Sequence, residues 1–276
     1  MESGIAKAAS LGSGGLMPSP TRVNFAGAAE LRAIPVWGIG EVVAGDSIGD
    51  LIVDALALSG LRLHVGDILV VKHKIVSKAE ARTVGLASIR PSAAAKKFAA
   101  KNNVDARVIE LALREATRVV RKEHVLITET PQGFVCANGG VDVSNVDGGN
   151  TAVLLPIDPD RSASQILRRI HKRTTLHIPV IIADSFGRAW REGLNEVAIG
   201  VAGMDPIRDY RGRRDAYGYQ MHATEECVAD ELACMAGLVC GKDNLVPACI
   251  IRGYRYRRAK GHARKIVRPA TRDLFR

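Results

Sequence analysis

Apolar and polar positions in this chain follow two periods, helical and alternating, and the text switches between them often. Residues 47–58 read as a helix, with Asp46 where a cap belongs and Gly60 where the helix should stop. The run ILVVKHKIV, residues 68–76, reads as a strand entering a loop. Residues 92–101 and 104–122 carry helical periodicity, with Leu111, Thr117 and Val119 among smaller apolar neighbours. Strand-like VLITET and GFVCA follow, then the turn-rich stretch GGVDVSNVDGG. TAVLLP, HIPVIIAD and EVAIGVAG predict strands, with a helix over 164–173 between the first two. A helix over 225–239 and a strand PACIIRG close the pattern. Interspersed helices and strands make the class α/β in its mixed α+β form, too uneven in alternation for a doubly wound sheet. The first 30 residues, rich in Ala, Gly and Ser without a period, predict a mobile extension, leaving 31–276 as the folded domain.

With 47% hydrophobic and 25% charged residues, the chain has the balance of a soluble globular protein, which excludes global disorder. No apolar run approaches the roughly 20 residues that span a bilayer, and the opening residues lack a signal-type stretch, so a cytoplasmic protein without membrane contact is expected. Cysteines at 136, 227, 234, 240 and 249 include no Cys-x-x-Cys pair and read as reduced structural thiols. The net charge of +10 is local: ten Lys and Arg fall within residues 252–276 against the single acid Asp273, and the remainder is nearly balanced. Tyr254 and Tyr256 interleave with those arginines, which keeps a polyanion- or RNA-binding reading open as an alternative.

Several motifs are missing. The text Gly237–Asp243 is one residue short of a phosphate-binding P-loop and ends in an acid. Gly38-Ile39-Gly40 fails the dinucleotide fingerprint because Val43 holds the third glycine's place. What is present is a set of polar residues at the ends of apolar runs. Asp184 and Ser185 follow PVIIA, where a ligand or a turn is equally served. Asp142 and Asn145 lie in a glycine-flanked loop, and two such carboxylates can hold a hard divalent cation through oxygen. Lys74, Lys78 and Arg82 cluster just past a strand, as mobile charges suited to phosphate or as a solvated loop.

In this order the segments VSKAEAR, ITET..GFVCANGGVDVSN, LLPIDPDRSAS, IADSFGRAWREGLNEVAIGVAG, RDAYG, VADELA, CGK, VPACIIRG and RPATRDLF resemble the coenzyme F420-0 gamma-glutamyl ligase family, over roughly residues 34–275. The resemblance implies that family's fold, mixed sheets with flanking helices and room for two intertwined subdomains. It implies a homodimer that adds L-glutamate to F420-0, or to F420-1 by gamma linkage, through an acyl phosphate and with release of GDP and phosphate. GTP is the implied co-substrate, with two Mg2+ or Mn2+ ions and a potassium ion as a further candidate. By position, Asp142, Asp184 and Ser185 match the metal residues, and Lys78 and Asp184 the catalytic ones. Ile39, Gly40, Glu41, Val42, His73, Lys74, Lys78, Asn145, Gly241, Lys242 and Asp243 match nucleotide contacts. Lys242 stands where many archaeal members have a metal-binding Gln, and a charged lysine cannot ligate a metal. An amide ligase acting on a different phosphorylated carboxylate is the nearer alternative, and nucleic acid is not expected as a partner.

Overall fold

The computed structural model describes residues 30–144 and 147–273. Apart from Glu30, the expected N-terminal extension lies outside the described residues, as does Asn145. The mixed α+β class expected from the pattern is the class that forms.

A five-stranded sheet runs through the main body. Its strands are β1 (Arg32–Pro35), β2 (Ile68–Lys72), β8 (Val180–Arg188), β9 (Arg191–Ala202) and β10 (Ala248–Arg252), in the order β1-β10-β2-β8-β9. Only β2 and β8 pair in parallel, with Lys72 opposite Ala183; the other pairs are antiparallel. Where they pair, β2 over Ile68–Val71 and β8 over Val180–Ala183 are apolar and buried because both faces are covered. Helix α5 (Pro159–Thr174) packs on β8 and β9 and carries α1 (Ile48–Leu58), while α6 (Val228–Cys240) packs on β9, β10 and β1.

A register shift where Gly200 pairs with Ile182 and Ala198 with Ala183 leaves Ile199 as an extra residue in β9. A bulge of this kind reverses which face the following side chains use. Glu196 therefore lies against Gly237 of α6, whereas Gly200 lies against Pro159 of α5.

A second core, including Leu86, Ile109, Leu111 and Leu126, gathers α3 (Ala93–Asn102) and α4 (Ala106–Arg114) onto a three-stranded sheet. That sheet is β4 (Arg118–Glu123), β5 (Val125–Glu129) and β6 (Val135–Ala137), and β3 (Thr83–Gly85) pairs separately with β7 (Thr151–Val153). Residues 209–225 form a compact unit of their own: Tyr210 N–H donates to the Thr224 carbonyl, and Gly212 N–H to that of Met221.

The structure corrects four local expectations. Asp46 does not cap α1; its carboxylate accepts the Val43 N–H in the preceding turn, and Ser47 takes the cap position. The strand of 68–76 ends at Lys72, and His73–Ala79 is helix α2 rather than a loop. The helix of 104–122 stops at Arg114, since Val119 and Val120 enter β4, where β-branched side chains pack well. Helix α5 starts five residues before its expected first residue, at Pro159 in the first helical turn, with the Asp158 carboxylate accepting the Arg161 N–H.

The basic C-terminal segment is folded onto this body. Asp160 Oδ1 accepts N–H groups from both Val201 (2.8 Å) and Ala263 (2.7 Å), and Lys265 Nζ meets Asp205 at 2.6 Å. Tyr254 and Tyr256, half-buried, pack against the main core. Among the described residues no helix is long and apolar enough to cross a membrane.

Candidate active site

The parallel pair β2–β8 ends with its two strands side by side, and the polar residues collect there. Beyond Lys72 the chain turns directly into α2, while β8 runs on past Ala183 through Asp184 and Ser185 as the antiparallel partner of β9. Asp184 and Ser185 are thus strand residues and not a turn. Carboxyl ends of parallel strands are where ligands gather in such sheets.

His73 is buried, with Nδ1 3.3 Å from Ser77 Oγ one helical turn on, and Nε2 3.2 Å from Asp184 Oδ1. Its neighbour Lys74 reaches the other way and meets Asp142 Oδ2 at 2.7 Å, while also donating to the Ser144 carbonyl and hydroxyl. Two residues adjacent in sequence therefore each hold one of the two carboxylates that the sequence singles out. One turn further along the same helical face, Lys78 Nζ meets Glu41 at 2.5 Å. Glu41 belongs to the segment Ile39-Gly40-Glu41-Val42, which Val42 anchors in the core.

On the other side of β8 stands a pair that the sequence did not point to. Glu196, the register partner of Ser185, meets Lys72 Nζ at 2.6 Å, accepts from Ser185 Oγ at 2.7 Å and from Lys242 Nζ at 2.9 Å. Lys242 also bonds Ser185 Oγ. Gly241 ends α6, and Lys242 and Asp243 continue from it on the surface. The available signals were an acid heading the apolar run VAIGVA and a lysine closing ILVV. A cleft of about 830 Å3 between β9 and α6 has Glu196, Lys242, Cys227 and Cys234 on its wall, and Glu196 itself stays buried.

Charge pairing sets the carboxyl groups. Burial would push Asp142 up, but the Lys74 ammonium and the Ser144 N–H outweigh it and hold it below the ordinary value. Burial acts the same way on Glu196, where Lys72, Ser185 and Lys242 bring it down from 4.5 to about 2. Cys136 is pushed up to about 12, first by burial and then by the negative charge of Asp184. Glu196 thus binds more protons unfolded than folded, and its contribution to stability is complete above pH 4.5 and lost as pH falls from there toward 2. Urea unfolding between pH 7 and pH 3 should show this loss, and Glu196→Gln should flatten it. An unchanged pH dependence in that variant would remove Glu196 as its source.

As a cation site Asp142, Asp184 and Ser185 have the right chemistry: two carboxylates and a hydroxyl, all hard oxygen. Among the described residues no three His, Cys, Asp or Glu side chains are gathered ready to hold an ion. Among the described residues, lysines hold the carboxylates of Glu41, Asp142 and Glu196, and none holds Asp184.

Comparison with known proteins decides the kinship. The family model described as F420-0:Gamma-glutamyl ligase matches residues 38–253. The chain belongs to the F420-0:gamma-glutamyl ligase family. A coenzyme F420:L-glutamate ligase of Methanothermobacter thermautotrophicus is 46% identical over 250 residues, covering 89% of this chain and 99% of that protein. The ligases of the same name from Methanopyrus kandleri and Methanocaldococcus jannaschii are 42% and 41% identical, over 89% and 76% of this chain and 98% and 85% of their own. Membership in the gamma-glutamyl ligase family makes this protein an enzyme of the class that forms carbon–nitrogen bonds.

Proposed function

We propose that this chain joins the amine of L-glutamate to the carboxylate of F420-0, and by gamma linkage to F420-1, with GTP as the energy source. A free carboxylate is a poor acceptor, so the γ-phosphoryl group passes first to the acceptor's carboxylate, releasing GDP. The glutamate amine then attacks the acyl phosphate, and inorganic phosphate leaves as the amide forms. The reading is carried by the pairing of His73 with Asp184 and of Lys74 with Asp142, in a chain whose relatives bear that ligase name.

Mg2+ or Mn2+ held from Asp142, Asp184 and Ser185 would neutralise charge on the phosphate oxygens. Lys74 and Lys78, both in α2, turn from Asp142 and Glu41 toward the polyphosphate, because an ammonium on a long stem is a mobile point charge. Ile39 to Val42, His73, Gly241 to Asp243 and Asn145, the last outside the described residues, complete the nucleotide contacts. Phosphoryl transfer depends mainly on positioning and charge, and no covalent protein nucleophile is needed. A potassium ion, action as a homodimer, and a cytoplasmic location independent of nucleic acid and membranes belong to the same reading.

The test is direct: purified protein with F420-0, GTP, Mn2+ and L-glutamate should give products heavier by successive glutamate residues, with GDP formed in step. No such mass gain, together with turnover on another phosphorylated carboxylate, would make it an amide ligase for a different acceptor.

A further inference from the structure

Glu196 takes no part in the chemistry above, yet two lysines hold it, where Asp142 and Glu41 are each held by one. It is 6% exposed, and Oε1 alone meets Lys72 Nζ, Lys242 Nζ and Ser185 Oγ. One negative charge thus answers two ammonium groups, at the strand position next to Asp184, whose own register partner is Val197. Among the described residues no lysine holds Asp184, and its near partners are His73 Nε2 and the Ser185 N–H. Lys242 also bonds Ser185 Oγ, so an ammonium lies at a residue of the proposed ion site, and like charges a few ångströms apart in a partly dehydrated site repel strongly.

We infer that Glu196 is a positioning residue for the cation site: it draws Lys72 and Lys242 onto its own oxygen and leaves the field of Asp184 open to a divalent ion. The inference rests on the assignment of that ion to Asp184 and names the side chain that makes it compatible with two neighbouring lysines.

Mn2+ binding to the nucleotide-free protein, read from the electron paramagnetic resonance of free Mn2+, tests it without turnover. Glu196→Gln keeps the shape and removes the charge, so the Mn2+ dissociation constant should rise about tenfold or more, a coupling of the size seen between charged neighbours. Adding Lys242→Met to that variant removes the second charge without supplying an oxygen ligand and should recover most of the loss, which repair of packing could not do. The Lys242 side chain is 62% exposed, so Lys242→Met alone will fold; it leaves Glu196 with one ammonium and should tighten Mn2+ severalfold, an arm that stands even if Glu196→Gln is unstable. Mn2+ affinity indifferent to Lys242→Met, or a double variant no better than Glu196→Gln, overturns the inference. If Asp184→Asn abolishes binding while the Glu196 and Lys242 variants bind as the wild type does, this inference alone falls. If Asp184→Asn binds normally, the cation assignment falls with it.

Discussion

Asp184→Asn should lower turnover about a hundredfold or more while leaving the unfolding transition almost unmoved. A bound cation contributes several kcal/mol to stabilising charge in phosphoryl transfer, and about 2.7 kcal/mol already corresponds to a hundredfold in rate. Asparagine has nearly the same shape as aspartate, and its side-chain oxygen can still accept the Ser185 N–H (2.7 Å) and face His73 Nε2 (3.2 Å). The substitution therefore removes the Asp184 charge, and little else. The stability change should stay within about 1 kcal/mol, as for substitutions that neither open a cavity nor strand a buried group. The two readouts are kcat from glutamate incorporation and the melting temperature by circular dichroism. Wild-type turnover at low metal would take Asp184 out of the site, and a large fall in melting temperature would make its role structural.

Gly200→Ala should destabilise the fold by about 3 kcal/mol, at the upper end for overpacking a core. A Cβ on Gly200 would stand 2.4 Å from the carbonyl oxygen of Pro159 and 2.6 Å from its carbon. Both are backbone atoms of the first turn of α5, which Asp158 caps, so no side-chain rotation can relieve the contact. The helix must lift from β9, and Asp160, in the same turn, must then release the N–H groups of Val201 and Ala263. Loss of the second bond loosens the C-terminal segment, which Lys265 still ties to Asp205. Gly187→Ala in β8 serves as the control, since the nearest atom to its Cβ would be Leu194 Cδ2 at 4.0 Å. Urea unfolding of both variants decides the matter: equal midpoints would mean that α5 has room to spare.

Much of the fold is legible in the sequence where the signal is local. The apolar runs that become β2, β8, β9 and β10 announce themselves because both faces of those strands are covered, so no polar alternation interrupts them. Misreadings arise where a local signal meets a tertiary demand. KHKIVSKA looks like a strand entering a loop, yet His73 turns inward to Asp184, and a helix is what sets Lys74 and Lys78, four residues apart, along one face. The helical period over 104–122 runs on into Val119 and Val120, but their partners in β5 pull them into a sheet. Of the site, Asp142, Asp184, Lys74 and Lys78 stand out as polar residues at the ends of apolar runs. Glu196 and Lys72 do not, because an acid at the head of a strand or a lysine at its foot is ordinarily a solvated end.

By itself the sequence determined the mixed class, the positions of most elements, the confinement of excess charge to the C-terminal segment, and the kinship with glutamate-adding ligases. Each of these depends on residue type and on spacing along the chain. Only the tertiary structure decided which anion meets which cation: His73 with Asp184, Lys74 with Asp142, and Lys72 and Lys242 together on Glu196. Those partners are far apart in sequence and come together through the parallel register of β2 on β8 and a single extra residue in β9. Register and bulge depend on how whole faces pack, and no stretch of residues taken alone carries that information.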